Sequence, residues 1–171
     1  LLSLGLAVQG HAKADALLEL LRQSDEQFIV FTEYRATQHA IQARLDDAGI
    51  AHIAFHGGLS FGRREWVREA FRRHARVLVS TESGGEGINF QFCCNVVHFD
   101  LPWNPQRIEQ RIGRVHRLGQ TRPVHVYNLA TRDTIEEYIL YLLDQKLDLF
   151  RQVVGLDEAR WTSRVPSFEA A

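Results

Sequence analysis

Five short apolar runs punctuate this chain, and patterned helical segments separate them. The runs are Phe28–Phe31, Ala51–Phe55, Arg76–Ser80, Asn95–Phe99 and Val124–Leu129. Ahead of the first, Ala14, Leu17, Leu18 and Leu21 recur at helical spacing and predict a helix over about 12–23. Residues 36–48 read as a second helix, closed by Gly49 as its C′ residue. Ser60 is placed to cap a third, with Trp66, Val67, Ala70 and Phe71 on one face. Asn104-Pro105 supplies an N-cap followed by proline at the first helical position. Thr134 and Glu137 have capping-box spacing. They open a long amphipathic helix, about 134–151, through Ile135, Tyr138, Ile139, Leu142, Leu143, Lys146, Leu147 and Phe150. Strands that are continuously apolar and alternate with helices predict an α/β fold. Its sheet is mostly parallel with helices on both faces, three layers in all, plus a C-terminal helical extension. Such sheets bind ligands beyond the carboxyl ends of their strands.

The chain's 171 residues fit one domain, here 1–155, with 156–171 as a peripheral tail. Hydrophobic residues make up 45% and charged residues 24%, a balance that excludes a disordered chain. No run approaches the roughly 18 apolar residues of a membrane helix. The Leu-rich opening has no basic region before it, so no signal peptide is read. The chain contains no methionine and opens at Leu1, and is expected to be a piece of a longer polypeptide. Cys93 and Cys94 are adjacent, which suits neither a disulfide framework nor a zinc site, so both are read as buried thiols. The eight histidines show no metal-ligand spacing, and no metal site is expected.

Net charge is −1, but the cations are nearly all arginine, since Lys13 and Lys146 are the only lysines among twenty. Arginine suits planar, bidentate contact with phosphate. Between Leu101 and Val126 stand five arginines and one acid, Glu109. Arg107, Arg111 and Arg114 share one face of the predicted helix, while Ile108, Ile112 and Val115 share the face turned to the sheet. That arginine face predicts an anion partner. The glycine-rich loops His56–Ser60 and Thr81–Asn89 would let backbone N–H groups approach a phosphate, with tight turns as the favoured alternative for their Gly-Gly pairs. No G-x-x-x-x-G-K-[ST] phosphate loop is present, and no acid pair follows a strand to hold Mg²⁺. If the chain works on ATP, it supplies half a site.

The stretch Gln110–Gln120, QRIGRVHRLGQ, resembles motif VI of superfamily-two helicases, in the Swi/Snf-like branch of double-stranded DNA translocases. IVFTEY (29–34) resembles motif IV, FHGGLSFGRRE (55–65) the motif between IV and V, and STESGGEGINF (80–90) motif V. HFDLPWNPQRIEQ (98–110) is similar to the branch's lead into motif VI. HAKADALLELL (11–21) and TRDTIEEYIL (131–140) are similar to the helices that open and trail the lobe. The family more often has Gln-Ala where this chain has Gln110-Arg111, and Arg-Ala-His-Arg at 114–117. The form seen here is similar to bacterial members.

The resemblance implies a RecA-like second lobe, with ATP and Mg²⁺ bound mainly by a first lobe outside this chain. It implies that Arg114 and Arg117 are arginine fingers and that Gln110, Gly87 and Asn89 serve the nucleotide. Thr81, Gly57, Gly58, Arg63, Trp103 and Asn104 match positions beside the DNA backbone, with a core anchor as the equal alternative for Trp103. The implied partners are duplex DNA, the first lobe of the same polypeptide, and RNA polymerase or another DNA-bound complex, with no membrane partner. The implied place is inside the cell, in a bacterium the cytoplasm or nucleoid. The parent would hydrolyse ATP, and this piece alone would not. An RNA-directed helicase lobe and a RecA-like protein-interaction module are the alternative readings.

Overall fold

The computed structural model describes residues 2–57, 60–81, 88–117 and 119–154. Its elements run α1 (Leu2–Arg22), β1 (Phe28–Thr32), α2 (Arg35–Asp47), β2 (His52–Phe55) and α3 (Phe61–His74). They continue with β3 (Val77–Thr81), β4 (Asn95–His98), α4 (Pro105–Ile112), β5 (His125–Asn128) and α5 (Ile135–Val154). The strands form one sheet in the order β2-β3-β1-β4-β5, and all four pairings are parallel. The expected parallel, three-layer architecture is what the chain adopts.

Strand geometry sends successive side chains to opposite faces. Phe28 and Val30 enter one core with Leu17, Leu18 and Leu21 of α1 and Ile41 and Leu45 of α2. Ile29 and Phe31 enter the other, with Phe55 and with Val67 and Phe71 of α3. A third cluster joins Ile108 and Ile112 of α4 to Val126 of β5 and to Ile139 and Leu143 of α5. The α4 face predicted to meet the sheet therefore does so.

Local signals account for several boundaries. Gly49 takes a left-handed φ of +66°, and the amides of Gly49 and Ile50 donate to the carbonyls of Asp46 and Leu45. This is the Schellman closure that glycine permits. The Asn104 side chain accepts from the Gln106 amide at 3.0 Å, with Pro105 opening α4. Cys93 and Cys94 are both buried. Burial pushes the Cys93 thiol up to about 12.

Other expectations need correcting. α1 begins ten residues before the predicted helix, because a helix nucleated by the packed turns at 14–21 extends readily through Leu, Ala and Gln. Ser60 occupies the N-cap position, yet its side chain makes no capping bond. Glu137 reaches back to the amide of Asp133 rather than that of Thr134. Trp66 is 62% exposed, and Ile135 and Tyr138 are also exposed, so the buried stripes of α3 and α5 are narrower than their apolar residues suggested. The predicted peripheral tail lies outside the described residues.

The first and last helices are tied through one buried lysine. Lys13 donates to the Phe99 carbonyl at 3.0 Å, just past β4, and pairs with Glu136 in the first turn of α5. Glu136 in turn accepts from the Thr131 amide at 3.0 Å. Hydrogen bonds to charged groups contribute about 1.5–3 kcal/mol. Lys13→Met is therefore expected to lower the urea unfolding free energy by about that amount. An unchanged midpoint and slope would show that the link carries no stability.

Candidate functional site

Because every strand is parallel, the segments after Thr32, Phe55, Thr81 and His98 emerge at one edge of the sheet. Gly57 lies just past β2, with its carbonyl 2.8 Å from Nδ1 of His56. Arg63 stands exposed in the first turn of α3. Thr81 closes β3 with its side chain buried. Trp103 and Asn104 follow β4, and Trp103 is 68% exposed, which removes the core-anchor reading of that residue. Gly58 and Gly87 lie outside the described residues.

The loops after β1 and β4 are stitched together by Asp100. Its Oδ2 accepts from the Thr32 hydroxyl and from the Glu33 amide at 3.3 Å. α4 is fastened to the same edge twice. Arg107 lies 3.5 Å from the Glu33 carboxylate. Arg111 donates to the Asp100 carbonyl at 3.0 Å, with its guanidinium over the Phe31 ring at 5.6 Å.

Arg111 corrects the sequence reading. The spacing puts it on an arginine face, and it is instead buried, at 4% exposure, between α4 and the sheet. The expected lack of compensation is corrected as well. Glu33 reaches Arg107, and Glu26 pairs with Arg122. Both acids come from the β1 region, remote in sequence. The Asn95 amide, and after it Arg122, hold the Glu26 carboxyl below its usual range.

Downstream of α4 the chain makes the turn that carries the two candidate fingers. Arg114 is half-buried and Arg117 exposed, and Arg117 Nε donates to the Gly113 carbonyl at 3.0 Å. The Arg114 carbonyl accepts from the Phe90 amide at 2.8 Å. Phe90 itself is fixed in the core, edge-on to Phe55 and Phe71 at 6.3 and 6.0 Å between centroids. Asn89 is half-buried and folds onto Gln91, accepting from its amide at 2.9 Å and donating to its Oε1 at 2.8 Å. The structure thus brings Asn89 and Arg114, 25 positions apart, into adjoining turns. Gln110 is exposed on α4, ahead of that junction. Among the described residues, no group of three or more His, Cys, Asp or Glu converges to hold a metal ion.

The family of the helicase conserved C-terminal domain matches residues 12–119 of this all-parallel lobe. The chain belongs to it. The lobe is 50% identical over 163 residues to the ATP-dependent helicase YqhH of Bacillus subtilis, covering 95% of this chain and 29% of YqhH. It is 33% identical over 149 residues to the RNA polymerase-associated protein RapA of Vibrio campbellii, covering 84% of this chain and 15% of RapA. Among solved structures it is similar to the C-terminal part of the Fun30 ATPase domain. There the TM-score is 0.71 at 28% identity, over 77% of this chain and 45% of that one. It is the C-terminal lobe of a superfamily-two, Swi/Snf-like helicase, and it spans under a third of the length of these curated relatives.

Beneath α4, the same packing that buries Arg111 buries His98. His98 bonds Asn128 Oδ1 through Nδ1 at 2.8 Å, and among the described residues its Nε2 has no hydrogen-bond partner. Burial, then the Arg111 charge, lowers its pKa to about 3. Between that value and the unfolded histidine's roughly 6.5, only the unfolded chain takes up the proton. Stability from a neutral His98 is therefore full above about pH 6.5 and drains away as pH falls toward 3. Between pH 6 and 4 the helicase lobe should lose up to about 1.4 kcal/mol per pH unit more than His98→Leu does. Parallel pH–stability slopes for the two proteins in urea titrations would contradict this.

Proposed function

We propose that this chain is the second motor lobe of an ATP-dependent translocase on double-stranded DNA. In this reading Arg114 and Arg117 reach the β- and γ-phosphates of an ATP held mainly by the first lobe. There they stabilise the charge that develops in phosphoryl transfer. Gln110 and Asn89 serve the nucleotide, and Gly87 is assigned the same role. Gly57, Arg63, Thr81, Trp103 and Asn104 follow the DNA backbone along the carboxyl edge, and Gly58 is assigned the same role. Contacts of that kind position a protein without reading sequence, as a translocase requires. In this reading Mg²⁺ is held together with the ATP mainly by the first lobe.

The observation that carries the proposal is the junction of the Asn89 turn with the Arg114 turn through the Phe90 amide. α4 connects that junction to the carboxyl edge through Arg107 and Arg111. One short helix therefore joins the nucleotide half of the site to the DNA half, the linkage a motor needs. The likeness to the ATP-dependent helicase YqhH supports the ATP-dependent class. RapA is an RNA polymerase-associated protein, which makes RNA polymerase the DNA-bound partner to test, in the cytoplasm or nucleoid if the source is bacterial.

In a polypeptide carrying both lobes, duplex DNA should stimulate ATP hydrolysis more than RNA does. Arg114→Ala should reduce kcat by about 10³-fold or more, the scale of an arginine finger. The isolated chain should turn over essentially no ATP. Hydrolysis indifferent to Arg114→Ala would end the finger assignment, and stimulation by RNA but not duplex would move the lobe to the RNA-directed class.

A further inference from the structure

Gln120 closes the region that resembles motif VI, yet nothing in its sequence position gives it a task. The structure does. Its half-buried carboxamide donates through Nε2 to the Gln91 carbonyl at 2.8 Å and to the Val115 carbonyl at 3.3 Å. Its Oε1 accepts from the Arg122 amide at 3.2 Å. Both ends of the amide are therefore used, and three separate backbone groups meet on one side chain.

We propose that Gln120 is a positioning residue for Arg114, a clasp that holds the arginine-bearing turn against the turn that follows Asn89. The inference rests on the motor reading above. Val115 is the residue after Arg114, and Gln91 is bound on its other side to Asn89. The clasp thus runs parallel to the bond between the Phe90 amide and the Arg114 carbonyl. Two attachments in succession, at the Arg114 and Val115 carbonyls, fix the backbone leaving Arg114 where one would leave a pivot. The local chain is shaped for this. The Gln120 amide donates to the Arg117 carbonyl at 3.0 Å, and Gly119 takes a φ of +93°, which only glycine adopts without strain. That turn brings Gln120 back over its own loop.

The chemistry of the clasp is specific to an amide. Two carbonyl oxygens demand an N–H donor, and the Arg122 amide demands an acceptor. Glutamate matches the length but would set a carboxylate oxygen against two carbonyls. Methionine matches the length and has neither group. Misplacing a catalytic group by about 1 Å can cost on the order of a hundredfold in rate.

The test is steady-state, duplex-stimulated ATP hydrolysis by the two-lobe polypeptide for wild type, Gln120→Glu, Gln120→Met, Arg114→Ala and both double variants. Thermal midpoints are measured alongside. Gln120→Glu and Gln120→Met should each lower kcat by about tenfold to a hundredfold, with KM for ATP changed by no more than about twofold. In the Arg114→Ala background neither should lower kcat further, because a positioning residue acts only through the group it positions. Methionine at 120 buries no charge, so it keeps the test valid if glutamate unfolds the loop. Wild-type kcat in Gln120→Met, or a loss that multiplies with Arg114→Ala, would overturn the proposal. If Arg114→Ala itself leaves hydrolysis intact, the motor reading fails first and takes this inference with it.

Discussion

A parallel sheet leaves no face open to water, and the rest of this lobe follows from that constraint. Each strand must be apolar on both sides, as Phe28–Phe31 shows by sending alternate residues into two separate cores. Each connection must then cross back over a face. Helices α1 and α2 cover one side and α3 the other, and every strand ends at the same edge. The polar and glycine-bearing loops collect there because a buried interior has no other place for them. The site is thus a by-product of strand direction before any residue in it is chosen.

Polar groups buried at that edge give it definition. Arg111 is an expensive residue to bury, and a buried ion costs several kcal/mol unless well partnered. Here it meets the Asp100 carbonyl and the Phe31 ring, while Asp100 draws in Thr32 and Glu33. The outcome is that α4, only eight residues long, has little freedom to slide or roll. A short helix held this firmly can present Arg114 in one place. Electrostatic stabilisation of a transition state works best with donors already in position, since nothing then reorganises during the reaction.

Much of this was legible in the residues. The strand runs, the closing Gly49 and the Asn104-Pro105 start are local signals with local causes, and the structure follows each of them. What the sequence could not reveal depended on distant partners. Arg111 reads as exposed because its helix neighbours Arg107 and Arg114 suggest a charged face, while the carbonyl and ring that bury it lie 11 and 80 positions away. Trp66 reads as core by hydrophobicity, but the α3 stripe that meets the sheet is only wide enough for residues such as Val67 and Phe71. The Gln120 clasp spans 29 positions to Gln91, and no periodicity announces it. In each case the deciding contact comes from another element.

The central claim is that the arginine-bearing turn is held in place before any nucleotide arrives. Native-state hydrogen exchange on the unliganded lobe tests it most directly, at the Phe90 amide that donates to the Arg114 carbonyl. A bond that opens only with the core should leave this amide as protected as those of β1 and β4. Exchange at the rate of an exposed loop would contradict the account, because the turn would then be ordered by the ligand and not by the fold.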